Sequence, residues 1–274
     1  NKFLIKDFSL KQSKVLDFDF SEFLNLEKLE LYMSDLSSEQ FNSITKKFIK
    51  DLDLFIRRAV DYDFSGFVKL EYFKGYFLKV ALTATQFNEM PKAFIKELEL
   101  DDDMELTDFD FSGFSSLKKM NNLKKMSARQ FNAIPKDFIE ELDLSGIDIT
   151  FFDLSKLVKV KILELRETIG LTFDKFNRIP ADFIEDVKLS FINMYLFDFS
   201  ELVAIKNLTI VGAEGLTANQ FNNLPNKSLI EKLCLQGVNL AGFIFSDLTG
   251  LRELDLWRGE GVTVEQFRSI PNKL

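Results

Sequence analysis

The chain has 274 residues, is 46% apolar and carries a formal net charge of −8. That balance lacks the basic surface a nucleic-acid partner needs, and no apolar run approaches the 18 or so residues of a membrane-spanning helix. With no histidine, Ser-His and Cys-His nucleophiles and most zinc sites are excluded, and with Cys234 as the one cysteine there is no internal disulfide.

In chain order, the first strand signal is Phe8–Leu10. A return carrying Phe18-Asp19-Phe20-Ser21 follows, then a second strand signal, Leu29–Leu31. Ser37-x-x-Gln40 then opens a helix as a capping box, in which the hydroxyl accepts from an early helix N–H and the glutamine reaches back. Phe41 sits on the buried face of that helix, and the next strand begins at Leu52.

The same order recurs six times. The Gln-Phe-Asn phenylalanine falls at Phe41, Phe87, Phe131, Phe176, Phe221 and Phe267, in steps of 44 to 46 residues. A fixed period in this range marks a repeat array. All five prolines (Pro91, Pro135, Pro180, Pro225 and Pro271) stand four residues after that phenylalanine, where they end the helix. The capping box recurs at Thr83, Ser127, Thr217 and Thr263. The fourth period has Thr172-x-x-Lys175 instead, so a weaker helix start is expected there. The Phe-Asp-Phe-Ser element recurs at Tyr62, Phe109, Phe152 and Phe197, and the sixth copy is Phe243-Ile244-Phe245-Ser246. Recurrence in each turn assigns its Asp and Ser to capping or turning the backbone, not to chemistry.

Each period divides again. One strand series runs Phe8–Leu10, Leu52–Leu54, Leu98–Leu100, Leu142–Leu144, Val187–Leu189 and Leu233–Leu235. The other runs Leu29–Leu31, Phe73–Gly75, Met120–Asn122, Leu163–Leu165, Leu208–Ile210 and Leu254–Leu256. Spacings alternate between 21–22 and 22–25 residues. With Leu26-Glu27-Lys28-Leu29-Glu30-Leu31 and Leu251-Arg252-Glu253-Leu254-Asp255-Leu256, the chain resembles the leucine-rich repeat family along essentially its whole length. The resemblance implies an α/β solenoid: a curved horseshoe with about 12 short parallel strands on the concave face and helical or 3-10 returns on the convex face. It departs from the family in lacking the Asn or Cys three residues after the last strand leucine, where Ser34, Arg57, Asp103, Ile147, Ile192 and Val238 stand. The turn hydrogen bonds of that ladder must come from elsewhere.

Residues 1–274 read as one repeat domain of six super-repeats, about 12 units. Asn1-Lys2, Asn226-Lys227 and Asn272-Lys273 share one phase, so the chain reads as a piece of a longer array or a chain without end caps. Open ends expose core side chains and make end-to-end self-association an expectation.

Because every repeat buries the same positions, function is sought where repeats differ. Strand alternation turns Ser9, Glu30, Asp53, Lys74, Glu99, Asn121, Asp143, Glu164, Lys188, Thr209, Cys234 and Asp255 outward. Six of these are acidic and two basic, which makes a mildly negative face. Tyr32, Phe55, Tyr76 and Trp257 follow the strand leucines, and Tyr72 flanks Phe73. Exposed aromatics beside acids are the composition of a protein-binding hot spot, so Tyr32, Phe55, Tyr72, Tyr76, Glu30, Asp53 and Trp257 are the candidate contact residues; local packing is the structural alternative. Asp101-Asp102-Asp103 with Glu105, and Lys118, Lys119, Lys124 and Lys125, read as solvated loop charges that pair with each other, since the calcium-loop series is incomplete. The triplets at Asn207-Leu-Thr and Asn226-Lys-Ser match the glycosylation sequon but carry little weight as chance matches. No nucleotide-binding glycine motif is present, and no cofactor, metal or catalytic residue is assigned.

These features point to a non-catalytic scaffold that binds a protein partner through its concave face. A structural spacer array, and the substrate-recognition part of a larger enzyme or effector, are the alternatives. No signal or membrane segment is read, a single Cys fits the cytoplasm, and secretion of a processed chain stays open.

Overall fold

A computed structural model describes residues 2–13, 18–34, 36–80, 82–121 and 124–271. Asn1, Asn122, Asn272 and Lys273, on which part of the phase argument rests, lie outside the described residues. The chain divides into two compact units, Asn1–Pro135 and Lys136–Leu274.

Unit 1 holds β1 (Asp7–Lys11), β2 (Lys28–Tyr32), β3 (Asp51–Arg58), β4 (Tyr72–Val80), β5 (Glu97–Leu100) and β6 (Lys119–Asn121), each parallel to the next in chain order. Unit 2 repeats the arrangement with β7 (Glu141–Asp143), β8 (Ile162–Arg166), β9 (Asp186–Ser190), β10 (Asn207–Val211), β11 (Lys232–Gln236) and β12 (Glu253–Asp255). The strand leucines are paired with each other in register, as Leu29 with Leu52 and Leu208 with Leu233, and are buried.

One return of each period is helical: α1 (Ser38–Ser43), α2 (Ala84–Glu89) and α3 (Ala128–Ala133) in unit 1, and α4 (Phe173–Phe176), α5 (Ala218–Asn222) and α6 (Val264–Arg268) in unit 2. The Phe-Asp-Phe-Ser return is built from turns. There the aspartate accepts from the backbone of the serine two residues on: Asp19 from Ser21 at 2.8 Å, Asp63 from Ser65 at 2.8 Å and Asp198 from Ser200 at 2.9 Å. Five of the helices start with both halves of the capping box. The exception is α4, four residues long, where Thr172 accepts from Lys175 N and the reciprocal bond is missing. Met90 and Ile134, directly before Pro91 and Pro135, have ψ of 129° and 130°, as the proline ring demands of its predecessor.

The Gln-Phe-Asn segment joins three successive layers. The glutamine amide donates backward: Gln86 Nε2 to Ala59 O (2.7 Å) and Tyr62 O (2.9 Å), Gln220 Nε2 to Met194 O (2.8 Å) and Phe197 O (3.0 Å). The phenylalanine stacks forward, Phe41 on Tyr62 with ring centres 4.0 Å apart and Phe221 on Phe243 at 4.6 Å. The asparagine clamps the next turn at both ends: Asn42 Nδ2 donates to Asp61 O and its Oδ1 accepts from Asp63 N, as Asn222 does with Gly242 and Ile244. These bonds stand in for the missing family asparagine. Two hydroxyls at the old ladder phase assist: Ser34 Oγ donates to Leu10 O and Thr168 Oγ1 to Leu144 O.

Lysines after the proline phase are part of the core. Lys46, Lys92, Lys136 and Lys227 are buried, and the ammonium groups of Lys46, Lys92 and Lys227 lie 4.9–5.8 Å from the rings of Phe41, Phe87 and Phe221. Their stems cover apolar surface while the charge finds backbone oxygens, as Lys92 Nζ does at Asn88 O (3.1 Å).

Phe131 is fully buried, whereas its counterpart Phe267 is 62% exposed. Phe131→Ala is expected to lower unfolding free energy by about 3–5 kcal/mol, and Phe267→Ala by less than about 0.5 kcal/mol. Paired urea denaturation curves measure the contrast.

Candidate functional site

The strand register of unit 1 turns the expected outward residues into a grid. Glu30, Asp53, Lys74 and Glu99 form one row across β2 to β5. Lys28, Asp51, Tyr72 and Glu97 form the row toward the strand starts, and Tyr32, Phe55 and Tyr76 the row toward the strand ends. Columns are about 4.8 Å apart and rows about 6.6–7 Å.

The third row is an aromatic ladder. Tyr32 and Phe55 stack with centres 4.8 Å apart and planes 21° from parallel, and Phe55 meets Tyr76 at 6.1 Å. Tyr32 is 45% exposed. Tyr76 donates its hydroxyl proton to Glu99, and Lys74 Nζ lies 5.2 Å from the Tyr76 ring centre and 3.0 Å from Glu99. Tyr72 is not part of the ladder: it lies two rows away, beyond Lys74, beside Asp51 and Glu97. Trp257 belongs to unit 2, follows β12, and carries the Arg258 guanidinium 4.2 Å from its ring centre. The seven candidates therefore separate into the ladder, its acidic neighbours Glu30 and Asp53, Tyr72 on the far row, and Trp257 in the other unit.

Two features of β3 and β4 were not anticipated. These strands run to 8 and 9 residues, past the ends of their neighbours. Within β4, Gly75 stands where the second strand leucine would be. A side chain there would meet Phe77 Cε2 at 2.9 Å and Phe73 Cζ at 3.2 Å, so the two rings occupy the space a leucine would take. With Ile56 and Phe77 both buried, the pair extends until the register shifts between Ile56 and Arg58.

Electrostatics vary along the grid. Lys28 bridges Glu30 (2.8 Å) and Asp51 (3.3 Å), which holds the lysine above its ordinary range and Glu30 below. Burial pushes Glu99 upward, but hydrogen bonds from Tyr76 and Lys74 outweigh it and leave the carboxyl below its usual range. Asp53, half-buried at the centre, is pushed up by burial and by the charges of Glu30, Asp51 and Glu99, against the pull of Lys74. Around it opens a concavity of about 250 Å³ lined by Asp51, Asp53, Tyr72, Lys74, Glu97 and Glu99 among others.

Other charges pair off. Lys124 bonds Asp102, and Lys125 bonds Glu105 and the Asp103 carbonyl, so part of the basic flank pairs with the acidic loop. A ladder missed in the sequence runs two residues before the first strand leucine: Lys6 and Lys50 flank Glu27 at 2.7 and 2.9 Å, and Lys161–Glu140, Lys206–Glu185 and Arg252–Glu231 continue the type in unit 2. Hydrogen bonds from Lys6 and Lys50 bring the Glu27 pKa down to about 2. Its alternation with repeat phase was legible. The sequon asparagines are engaged, Asn207 with Asp186 and Asn226 with Val203 O. Burial and Asp255 push the Cys234 thiol up, away from the thiolate. Among the described residues no group of three or more His, Cys, Asp or Glu could hold a metal ion, and no helix is long and apolar enough to cross a membrane.

A carboxyl whose folded pKa is raised costs stability above that pKa, and the cost disappears below the unfolded value near pH 4. Asp53→Asn is expected to raise Tm at pH 7 by about 1 °C, the effect being screened by solvent. The gain should vanish as pH falls to about 4. Thermal melts of both proteins across this range measure it.

No family model and no curated protein matches the sequence. Among solved structures, the chain is similar to an internalin from Listeria monocytogenes (13% identity, TM-score 0.63, 94% of this chain and 75% of that one). A leucine-rich-repeat protein from Leptospira interrogans shares 16% identity at a TM-score of 0.49, over 98% of this chain and 66% of that one. At these identities likeness speaks for fold alone, and the internalin carries it. Parallel strands recurring every 21–25 residues, inward Leu-x-Leu pairs and this likeness together make the fold a leucine-rich-repeat solenoid.

Proposed function

We propose that this chain is a non-catalytic scaffold that binds a protein partner through the exposed face of its sheet, the face read from the sequence as concave. The Tyr32–Phe55–Tyr76 ladder carries the reading. Three aromatics stand in register on adjacent strands, with Tyr32 exposed, and their phase in unit 2 holds Ser145, Arg166, Ser190, Val211 and Gln236 before an aromatic returns at Trp257. The repeat does not require these rings, since five of the six positions of this phase in unit 2 carry other residues. Rigid, stacked aromatics present contact area at low entropic cost, which is the character of a binding hot spot.

Affinity capture with the wild type, the Tyr32→Ala/Phe55→Ala double variant and a Thr209→Ala control, read by quantitative mass spectrometry, tests the reading. A partner held by the ladder should fall by about 30-fold or more with the double variant, as expected for hot-spot loss, and stay with the control. Equal capture by all three sinks it. End-to-end self-association is the second partner reading, supported by exposed Phe267 and Trp257. Sedimentation velocity over a rising concentration series should show a growing dimer that Phe267→Asp removes; a constant monomer overturns it.

A further inference from the structure

Asp53 is the unsatisfied centre of the unit 1 grid. Its neighbours are committed: Lys28 holds Glu30 and Asp51, and Lys74 turns to Glu99 and the Tyr76 ring. No described residue gives Asp53 a hydrogen bond or an ion pair; its register neighbours are Glu30 on β2 and Lys74 on β4, with Asp51 two residues before it and Glu99 beyond Lys74. Lys28, Lys74 and Lys119 also line the concavity, but Lys28 and Lys74 are bound to other carboxylates, so an incoming cation finds Asp53 open to it and would also meet the exposed Tyr72 ring. Two residues along β3, on the same side of the sheet, stands Phe55 with the Tyr32 ring stacked on it. The distance from Asp53 to Phe55 is therefore about 6.6–7 Å, the spacing of same-face side chains in any extended chain.

We propose that this face receives an extended segment of a protein partner carrying arginine or lysine two residues from an apolar side chain. The cation seats in the concavity against Asp53 and Tyr72, and the apolar side chain rests on Tyr32 and Phe55. The inference rests on the docking reading above and adds the chemistry of the partner. Charge complementarity selects the cation, because Lys28 already serves Glu30 and Asp51 and Lys74 serves Glu99, which leaves Asp53 as the carboxylate among them without a lysine partner. The row spacing selects the i, i+2 relation, because adjacent residues of an extended chain point to opposite sides.

The test uses the full chain and fluorescein-labelled peptides with cores Ser-Arg-Ser-Leu-Ser, Ser-Glu-Ser-Leu-Ser and Ser-Arg-Leu-Ser-Ser, titrated by anisotropy at low salt. The Arg-x-Leu peptide should bind about tenfold tighter than the Glu-x-Leu peptide. It should also bind more tightly than the adjacent Arg-Leu peptide. Asp53→Asn should erase the preference for arginine, and Glu141→Gln in unit 2 should leave it in place. Added salt of about 0.3 M should shrink it. Equal or tighter binding of the Glu-x-Leu peptide, a preference that survives Asp53→Asn, or no binding of any peptide at millimolar concentration overturns the proposal. Loss of partner capture in the Tyr32→Ala/Phe55→Ala protein, together with no arginine preference, removes the cation while leaving the docking reading intact. An arginine preference lost in Asp53→Asn, with partner capture unchanged by the ladder variant, removes the ladder alone.

Discussion

Successive layers of this protein are fastened to the ones before and after by three consecutive side chains, Gln-Phe-Asn in four of the six periods, with Lys175 in the glutamine phase of the fourth and Arg268 in the asparagine phase of the sixth. A parallel sheet of short strands gives each unit only a few backbone bonds to its neighbours, and the long returns would otherwise be tied down by apolar contact alone. The glutamine satisfies carbonyls of the preceding turn, the ring stacks on the following one, and the asparagine holds that turn by both its N–H and its C=O. Directional hydrogen bonds to buried backbone groups set orientation as well as energy, because leaving such groups unpaired is costly. The choice of phenylalanine over leucine follows: a flat ring offers a stacking face at a separation of 4.0–4.6 Å that fits the layer spacing.

The same dependence explains the peculiarities of composition. Lysine enters the core beside these rings because its stem fills the gap beneath the helix while its ammonium reaches carbonyl oxygens and a ring face. The Asp-Ser pairs, which look like chemistry in isolation, close turns. In α4 the chain loses half of the capping box, and Lys175 in the glutamine phase gives one long bond to Phe152 O at 3.3 Å where Gln86, Gln130, Gln220 and Gln266 each give two. The helix there is the shortest of the six.

Function is sought where this machinery is indifferent. The outward strand positions carry no share of the Gln-Phe-Asn interlock, so side chains there differ from repeat to repeat. In unit 1 they hold an aromatic ladder beside a group of carboxylates, and the two strands beneath run to 8 and 9 residues.

Period, strand phases, helix caps and the outward row were all readable in the sequence, because a repeated unit shows its structural positions by recurrence: Phe41 to Phe267 and the five prolines are visible without coordinates. The absence of the family asparagine was readable too, but its replacement was not, since Asn42 acts on a turn some 20 residues away and nothing local marks its target. Tertiary structure alone decided how the candidate residues group. Sequence proximity joined Tyr72 to Tyr76, while strand alternation set Lys74 between them and register joined Tyr76 to Phe55 and Tyr32. It also decided which carboxylate stays unpaired, because whether Lys74 serves Asp53 or Glu99 depends on side-chain direction across strands, and a linear pattern of charges does not contain it.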